Sequence, residues 1–132
     1  MRIYLDSSAL VKLVQREAES EALRRFLRKH RDDRFATSTL ARVEVVRAVL
    51  SGGPNAVASA RRQLSRLDQI SLDTDLLDRA ATLTVEGLIR SLDAIHLSAA
   101  QVIGAELRAV VTYDERMAIV ASSLGLVVEA PS

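Results

Sequence analysis

Two periods divide the chain. Short extended-type runs at Ile3–Leu5, Phe35–Ser38, Ile70–Leu72, Arg108–Thr112 and Leu126–Val128 alternate with longer segments whose apolar residues recur every three or four positions. The longer segments read as helices. One begins at Ala9-Leu10-Val11 behind Ser7 or Ser8 as N-cap. A second runs from Glu19 to His30 on a stripe of Leu23, Phe26, Leu27 and His30, where His30 in the last turn fits a dipole partner or a half-buried core residue. A third, capped by Ser38 or Thr39, runs from Leu40 to Leu50 and is stopped by Gly52-Gly53-Pro54. Val57, Ala60, Leu64 and Leu67 mark a fourth. Asp73, Asp75 and Asp78 open a fifth, whose core face is Leu76, Leu77, Ala80, Ala81 and Leu88. Ser91 caps a sixth with Leu92, Ile95, Ala99 and Val102 as its stripe, and a seventh carries Met117, Val120, Ala121 and Leu124 before Gly125 ends it. Strands alternating with helices predict an α/β fold: a five-stranded parallel sheet, helices on both faces, right-handed crossovers.

Composition narrows the setting. With 132 residues, 48% of them hydrophobic, the chain suits one domain spanning 1–132. The absence of cysteine removes disulfides, thiolate metal sites and thiol nucleophiles, and no apolar run is long enough to cross a bilayer. The expectation is a soluble cytoplasmic protein. All but Lys12 and Lys29 of the 18 basic residues are arginine, and Arg24, Arg25, Arg28, Lys29, Arg31 and Arg34 cluster locally. The cluster reads either as a solvated helix face or as a surface for a polyanion.

The acids carry the chemistry. Asp6 and Asp114 leave the carboxyl ends of two strands, where open parallel sheets place their ligands. Asp93 opens a helix and shares a face with His96, which allows a hydrogen bond between the two. Glu44 lies on a largely apolar helix face and needs a partner there, either an ion pair with Arg47 or Arg42 or a functional role. Each aspartate alone is explained as a helix cap or first-turn acid. Gathered in one pocket, they would need protons or cations to offset their repulsion, and hard divalent cations with oxygen ligands answer that need. The implied chemistry is metal-assisted phosphoryl transfer. Glycine-rich nucleotide loops, a G-x-S-x-G elbow and an H-E-x-x-H motif are all missing from the sequence.

Four stretches together resemble the PIN-domain ribonucleases, specifically VapC-like toxins of toxin-antitoxin pairs: Leu5-Asp6-Ser7-Ser8-Ala9-Leu10-Val11-Lys12-Leu13, Glu44 in Val43-Glu44-Val45-Val46-Arg47-Ala48, Leu92-Asp93-Ala94-Ile95-His96-Leu97-Ser98-Ala99-Ala100, and Val111-Thr112-Tyr113-Asp114-Glu115-Arg116-Met117. The resemblance implies that the first strand is central and that an acidic pocket binds Mg2+ or Mn2+ and cuts RNA. By position Asp6, Glu44, Asp93 and Asp114 match the family's acidic quartet, Ser7 and Thr112 match supporting polar positions, and Arg116 stands where it can reach phosphate. It also implies a homodimer and a cognate antitoxin. Two other readings compete: a PIN-like module that binds RNA or protein without cutting, and a phosphatase or receiver-like domain. The second is opposed by Asp6-Ser7-Ser8 in place of a paired-acid motif and by the lack of a lysine after the late strand.

Overall fold

The computed structural model describes residues 1–85 and 89–132. Its sheet has five parallel strands: β1 (Arg2–Leu5), β2 (Arg34–Ser38), β3 (Asp68–Ile70), β4 (Leu107–Val111) and β5 (Val128–Glu129), in the order β3-β2-β1-β4-β5. The first strand is central, as expected. Successive strands step outward from β1 through β2 to β3, then resume on its other side with β4. The strand order therefore reverses between β1 and β4, which is where a parallel sheet opens a crevice at its carboxyl edge.

Seven α-helices are found among the described residues: α1 (Ser7–Val14), α2 (Ser20–Lys29), α3 (Ala41–Val49), α4 (Pro54–Ser65), α5 (Thr74–Ala81), α6 (Ser91–Ile103) and α7 (Glu115–Ser123). The pleat of β1 sorts them. Ile3 and Leu5 point into a core with Leu10, Leu23, Val45 and Leu64 of α1–α4, whereas Tyr4 faces the opposite way into a core with Leu76, Ala99, Ala100 and Ile103 of α5 and α6. Met117, Val120 and Ala121 of α7 pack against Leu97 of α6. Helices thus cover both faces, and every residue of β1 after Arg2 is buried.

Several local expectations shift. β3 begins two residues earlier than the apolar run suggests, because Ala36 pairs with Asp68 on this half-buried edge, leaving Leu72 to pack under α5. β5 falls at Val128–Glu129, since Leu126 is occupied in closing α7 through its N–H to the Ala121 carbonyl. The cap of α1 is Asp6, not Ser7 or Ser8, and α3 starts behind Leu40 without a side-chain cap, the Ser38 hydroxyl being buried elsewhere. Pro54 does not only stop α3; it opens α4 after Gly53, whose φ of 86° is one that residues with a side chain rarely adopt. On α5 the core face is Leu76 and Ala80, with Leu77 and Ala81 exposed, while Leu88 lies outside the described residues. Asp73, one of the acids that open this helix, caps it by accepting from the Leu76 N–H.

The largest correction concerns α6. Leu92 and Val102, assigned to its core stripe, are 48% and 47% exposed, and the buried face instead runs through Ala94, Leu97, Ala100 and Ile103 and includes Asp93, His96 and Ser98. The helix lies against the sheet and α5, with Leu97 reaching α7, so it is covered on more than one side, and its polar residues face inward. Its N-cap is Arg90, not Ser91.

The two ends of the sheet carry charge differently. At the amino ends of the strands, Arg34 grips Asp68 through two hydrogen bonds of 2.8 and 2.6 Å, and Arg108 donates to Asp33 at 2.5 Å. Charges there are matched. The arginine cluster of α2 leads into this end, with Arg25, Arg28, Lys29 and Arg31 exposed. At the carboxyl ends Asp6, Glu44, Asp93 and Asp114 gather around a single arginine among the described residues, Arg90.

Candidate active site

Asp6 is built in by β1 and α1 together. Its backbone N–H continues the sheet to the Val111 carbonyl, while its Oδ1 accepts from the Ala9 N–H at 3.0 Å and so caps α1. Ser8 donates to the same oxygen at 2.6 Å, and Thr112, at the exit of β4, donates to Oδ2 at 2.5 Å. Ser8 in turn accepts from the Tyr113 N–H, tying the exits of β1 and β4 to each other. The carboxyl group is 2% exposed, and burial raises its pKa above the ordinary aspartate value despite these hydrogen bonds.

Asp114 follows β4 and caps α7, its Oδ1 accepting from the N–H groups of Arg116 and Met117 at 2.9 and 3.2 Å. Asp93 lies in the first turn of α6 and is buried. Three helix N-termini, those of α1, α6 and α7, therefore end at these three acids, where their positive dipole ends favour negative charge.

Glu44 projects from α3. Its partner is neither Arg42 nor Arg47 but His96, whose Nε2 lies 2.6 Å from Oε1, joined by the Ser7 hydroxyl at 2.7 Å. The His96 Nδ1 is 2.7 Å from the Tyr4 hydroxyl. Facing a carboxylate, Nε2 carries the proton and Nδ1 accepts from the phenol. Burial raises the pKa of Glu44, but the hydrogen bonds from His96 and Ser7 outweigh it, and the net position is below the usual glutamate value. The hydrogen bond allowed between Asp93 and His96 is not formed; Asp93 accepts from Arg90 Nε at 2.9 Å instead.

Asp6, Ser7, Glu44, Asp93 and Asp114 line one cavity of about 120 Å³, together with Ser8, Arg90, His96 and Met117. Thr112 supports it through Asp6. Arg116 contributes its backbone N–H to Asp114 and is otherwise exposed, and the guanidinium in the cavity belongs to Arg90. A larger hollow, about 760 Å³, lies between Leu50, Pro54 and Val57 and the arginines of α4, and holds no carboxylate. Volume alone therefore does not mark the site.

Ser8, Arg90 and the Tyr4–His96 pair were not assigned from the sequence. The signal for His96 was present in part, since Glu44 needed a buried partner; the pairing itself joins residues 52 positions apart.

The donors in the cavity are carboxylate and hydroxyl oxygens, the set that suits a hard divalent cation. Among the described residues no three acidic or histidine side chains approach closely enough to form a closed cage. Mg2+ takes one or two carboxylates with water and phosphate oxygens, so the residues fit an open, water-rich site.

A PIN-domain family model matches residues 3–122. Ribonuclease VapC46 of Mycobacterium tuberculosis is 52% identical over 130 residues, covering 98% of both chains. The fold is that of M. tuberculosis VapC20, a sarcin-ricin loop cleaving toxin (TM-score 0.76, 19% identity, covering 98% of this chain and 99% of that one). It is also that of a chain in a toxin-antitoxin complex from Klebsiella pneumoniae (TM-score 0.72, 20% identity, 98% of each chain covered).

Proposed function

The chain belongs to the PIN-domain family, in its VapC-like branch, and on that premise we propose that it is a Mg2+- or Mn2+-dependent endoribonuclease acting as the toxin of a toxin-antitoxin pair. The observation that carries this reading is the convergence of Asp6, Glu44, Asp93 and Asp114 on one cavity at the point where the strand order reverses.

Asp114 and Glu44, the more open of the acids, would hold the cation with Asp6 and Asp93, which lie deeper. When bound, the metal supplies an activated water and offsets charge on the phosphate. The chain's own residues set the geometry. Ser8, Ala9 and Thr112 fix both oxygens of Asp6 in orientation. Ser7 and His96 keep Glu44 ionised at Oε1, so that it is able to accept a proton from water. The N-termini of α1, α6 and α7 favour the anionic phosphodiester as they favour the acids.

The substrate in this reading is RNA, held through phosphate contacts rather than stacking, since only 3% of residues are aromatic. A cognate antitoxin is the regulatory partner, by likeness to the K. pneumoniae complex. A homodimer and a cytoplasmic location complete the proposal; no described helix is long and apolar enough to cross a membrane.

Protein freed of antitoxin is expected to cut a pool of structured RNAs at discrete sites with Mg2+ or Mn2+, and to stop when the metal is chelated. Mapping new RNA ends checks this. A folded, inhibitor-free preparation that cuts nothing with either metal would return the chain to the non-catalytic binding module.

A further inference from the structure

Arg90 is the one guanidinium that lines the acidic cavity among the described residues. It stands at the N-cap of α6 in extended backbone (φ −80°, ψ 154°) and makes no capping bond with its side chain. The guanidinium instead spans two acids from two helices: Nε donates to Asp93 Oδ2 at 2.9 Å and Nη2 to Asp114 Oδ2 at 2.8 Å. Its side chain is nevertheless 55% exposed. The other cationic candidate in the cavity, His96, is committed to Glu44 and Tyr4.

This placement sets up a competition. The oxygens that Arg90 holds, one on Asp93 and one on Asp114, are those a divalent cation between these two acids would need, and one fork cannot share them with a metal and its waters. Ion pairs of so exposed a side chain are weak and exchange readily with water, so displacement is not costly. A displaced Arg90 remains anchored at the cavity mouth by its backbone. There its planar donors match a phosphodiester, which arginine grips through paired hydrogen bonds.

We propose that Arg90 works in two positions: before metal loads it is the counter-ion of Asp93 and Asp114, competing with the cation, and afterwards it is a ligand for the RNA phosphate at the cut site. The proposal rests on the ribonuclease reading for its second half only.

The test compares the parent chain with Arg90→Gln and Arg90→Lys. Mn2+ affinity is read without RNA by electron paramagnetic resonance titration, and kcat and KM for a cleaved RNA at saturating Mn2+. Arg90→Gln is expected to bind Mn2+ about 3- to 10-fold more tightly, as expected for the loss of exposed competing ion pairs. Its KM for RNA should rise about tenfold with a smaller change in kcat, reflecting the loss of a charge-assisted phosphate contact. Arg90→Lys, which keeps the charge and loses the fork, should fall between on both readouts.

Unchanged or weaker Mn2+ binding in Arg90→Gln, or a parent chain that binds no Mn2+, overturns the competition and leaves Arg90 as a brace between Asp93 and Asp114. Tighter Mn2+ binding with an unchanged KM overturns the phosphate contact. A parent chain that binds Mn2+ but cuts no RNA refutes the ribonuclease reading and with it the second position, while the Mn2+ titration still decides the first.

Discussion

Asp6→Asn is expected to lower RNA cleavage by on the order of 10²-fold or more while leaving the metal-free fold at least as stable as the parent. Asparagine caps a helix as well as aspartate does, so the bond from the Ala9 N–H survives, and the hydroxyls of Ser8 and Thr112 can reorient to the amide. What is lost is a charge. Burial raises the pKa of Asp6, which means that folding disfavours its ionised form. A group with a raised folded pKa contributes its stability below the unfolded value, near the ordinary aspartate value of 3.8, and loses it as pH rises through the folded pKa. In chelator, the variant should therefore match the parent in acid and exceed it at neutral pH. Denaturant melts across that range, alongside cleavage rates with Mn2+, check both halves. A variant that cuts RNA at the parental rate would remove Asp6 from the reaction, and one that unfolds would show that its role is in holding β1 to α1.

His96→Ala is the second large effect. The imidazole is buried between the Tyr4 phenol and Glu44, and its removal leaves the phenol without its hydrogen-bond partner and opens a cavity beside α6. Together these should cost about 2–4 kcal/mol of stability. Tyr4→Phe, which keeps the ring and leaves Nδ1 unpaired, should cost about 1 kcal/mol. Because both changes break the same bond, the double variant should lose less than the sum. Glu44 adds a pH signature. Its pKa is raised by burial but lowered further by His96 and Ser7, so its net contribution is present above the ordinary glutamate range and lost as pH falls through the depressed value. The gap between parent and His96→Ala should narrow on acidification. Urea melts at neutral and acid pH provide the measurement; a gap that does not move with pH would mean that His96 acts through packing alone.

Much of this architecture was legible because it is local. A strand that delivers an acid to a helix start is written in consecutive residues, as in Leu5-Asp6-Ser7 and Val111-Thr112-Tyr113-Asp114, and strand alternation with helices then dictates a parallel sheet. The resemblance supplied the central place of β1. The faces of α6 were not legible, since a helix apolar over most of its surface does not say which side meets the sheet, and the partner of His96, Glu44, lies 52 positions away. Arg90 was missed for a related reason. Its bond to Asp93 is three residues away and visible in principle, but its bond to Asp114 crosses 24 residues and depends on how α6 and α7 sit together. Thr112 was legible as a neighbour of the last acid, whereas its actual partner, Asp6, is 106 positions distant.

Tyr4 makes the interior of this protein answerable to its chemistry. It is fully buried in the middle strand, among the residues that hold α5 and α6 to the sheet, yet its hydroxyl ends on the histidine that sets Glu44. Over evolutionary time most core positions drift, one aliphatic side chain replacing another of similar bulk. Position 4 lacks that freedom: an aliphatic residue there would fill the layer and still strand His96. Substitutions at 4 and at 96 are therefore coupled, and repacking this part of the core disturbs the support of Glu44 at the same time.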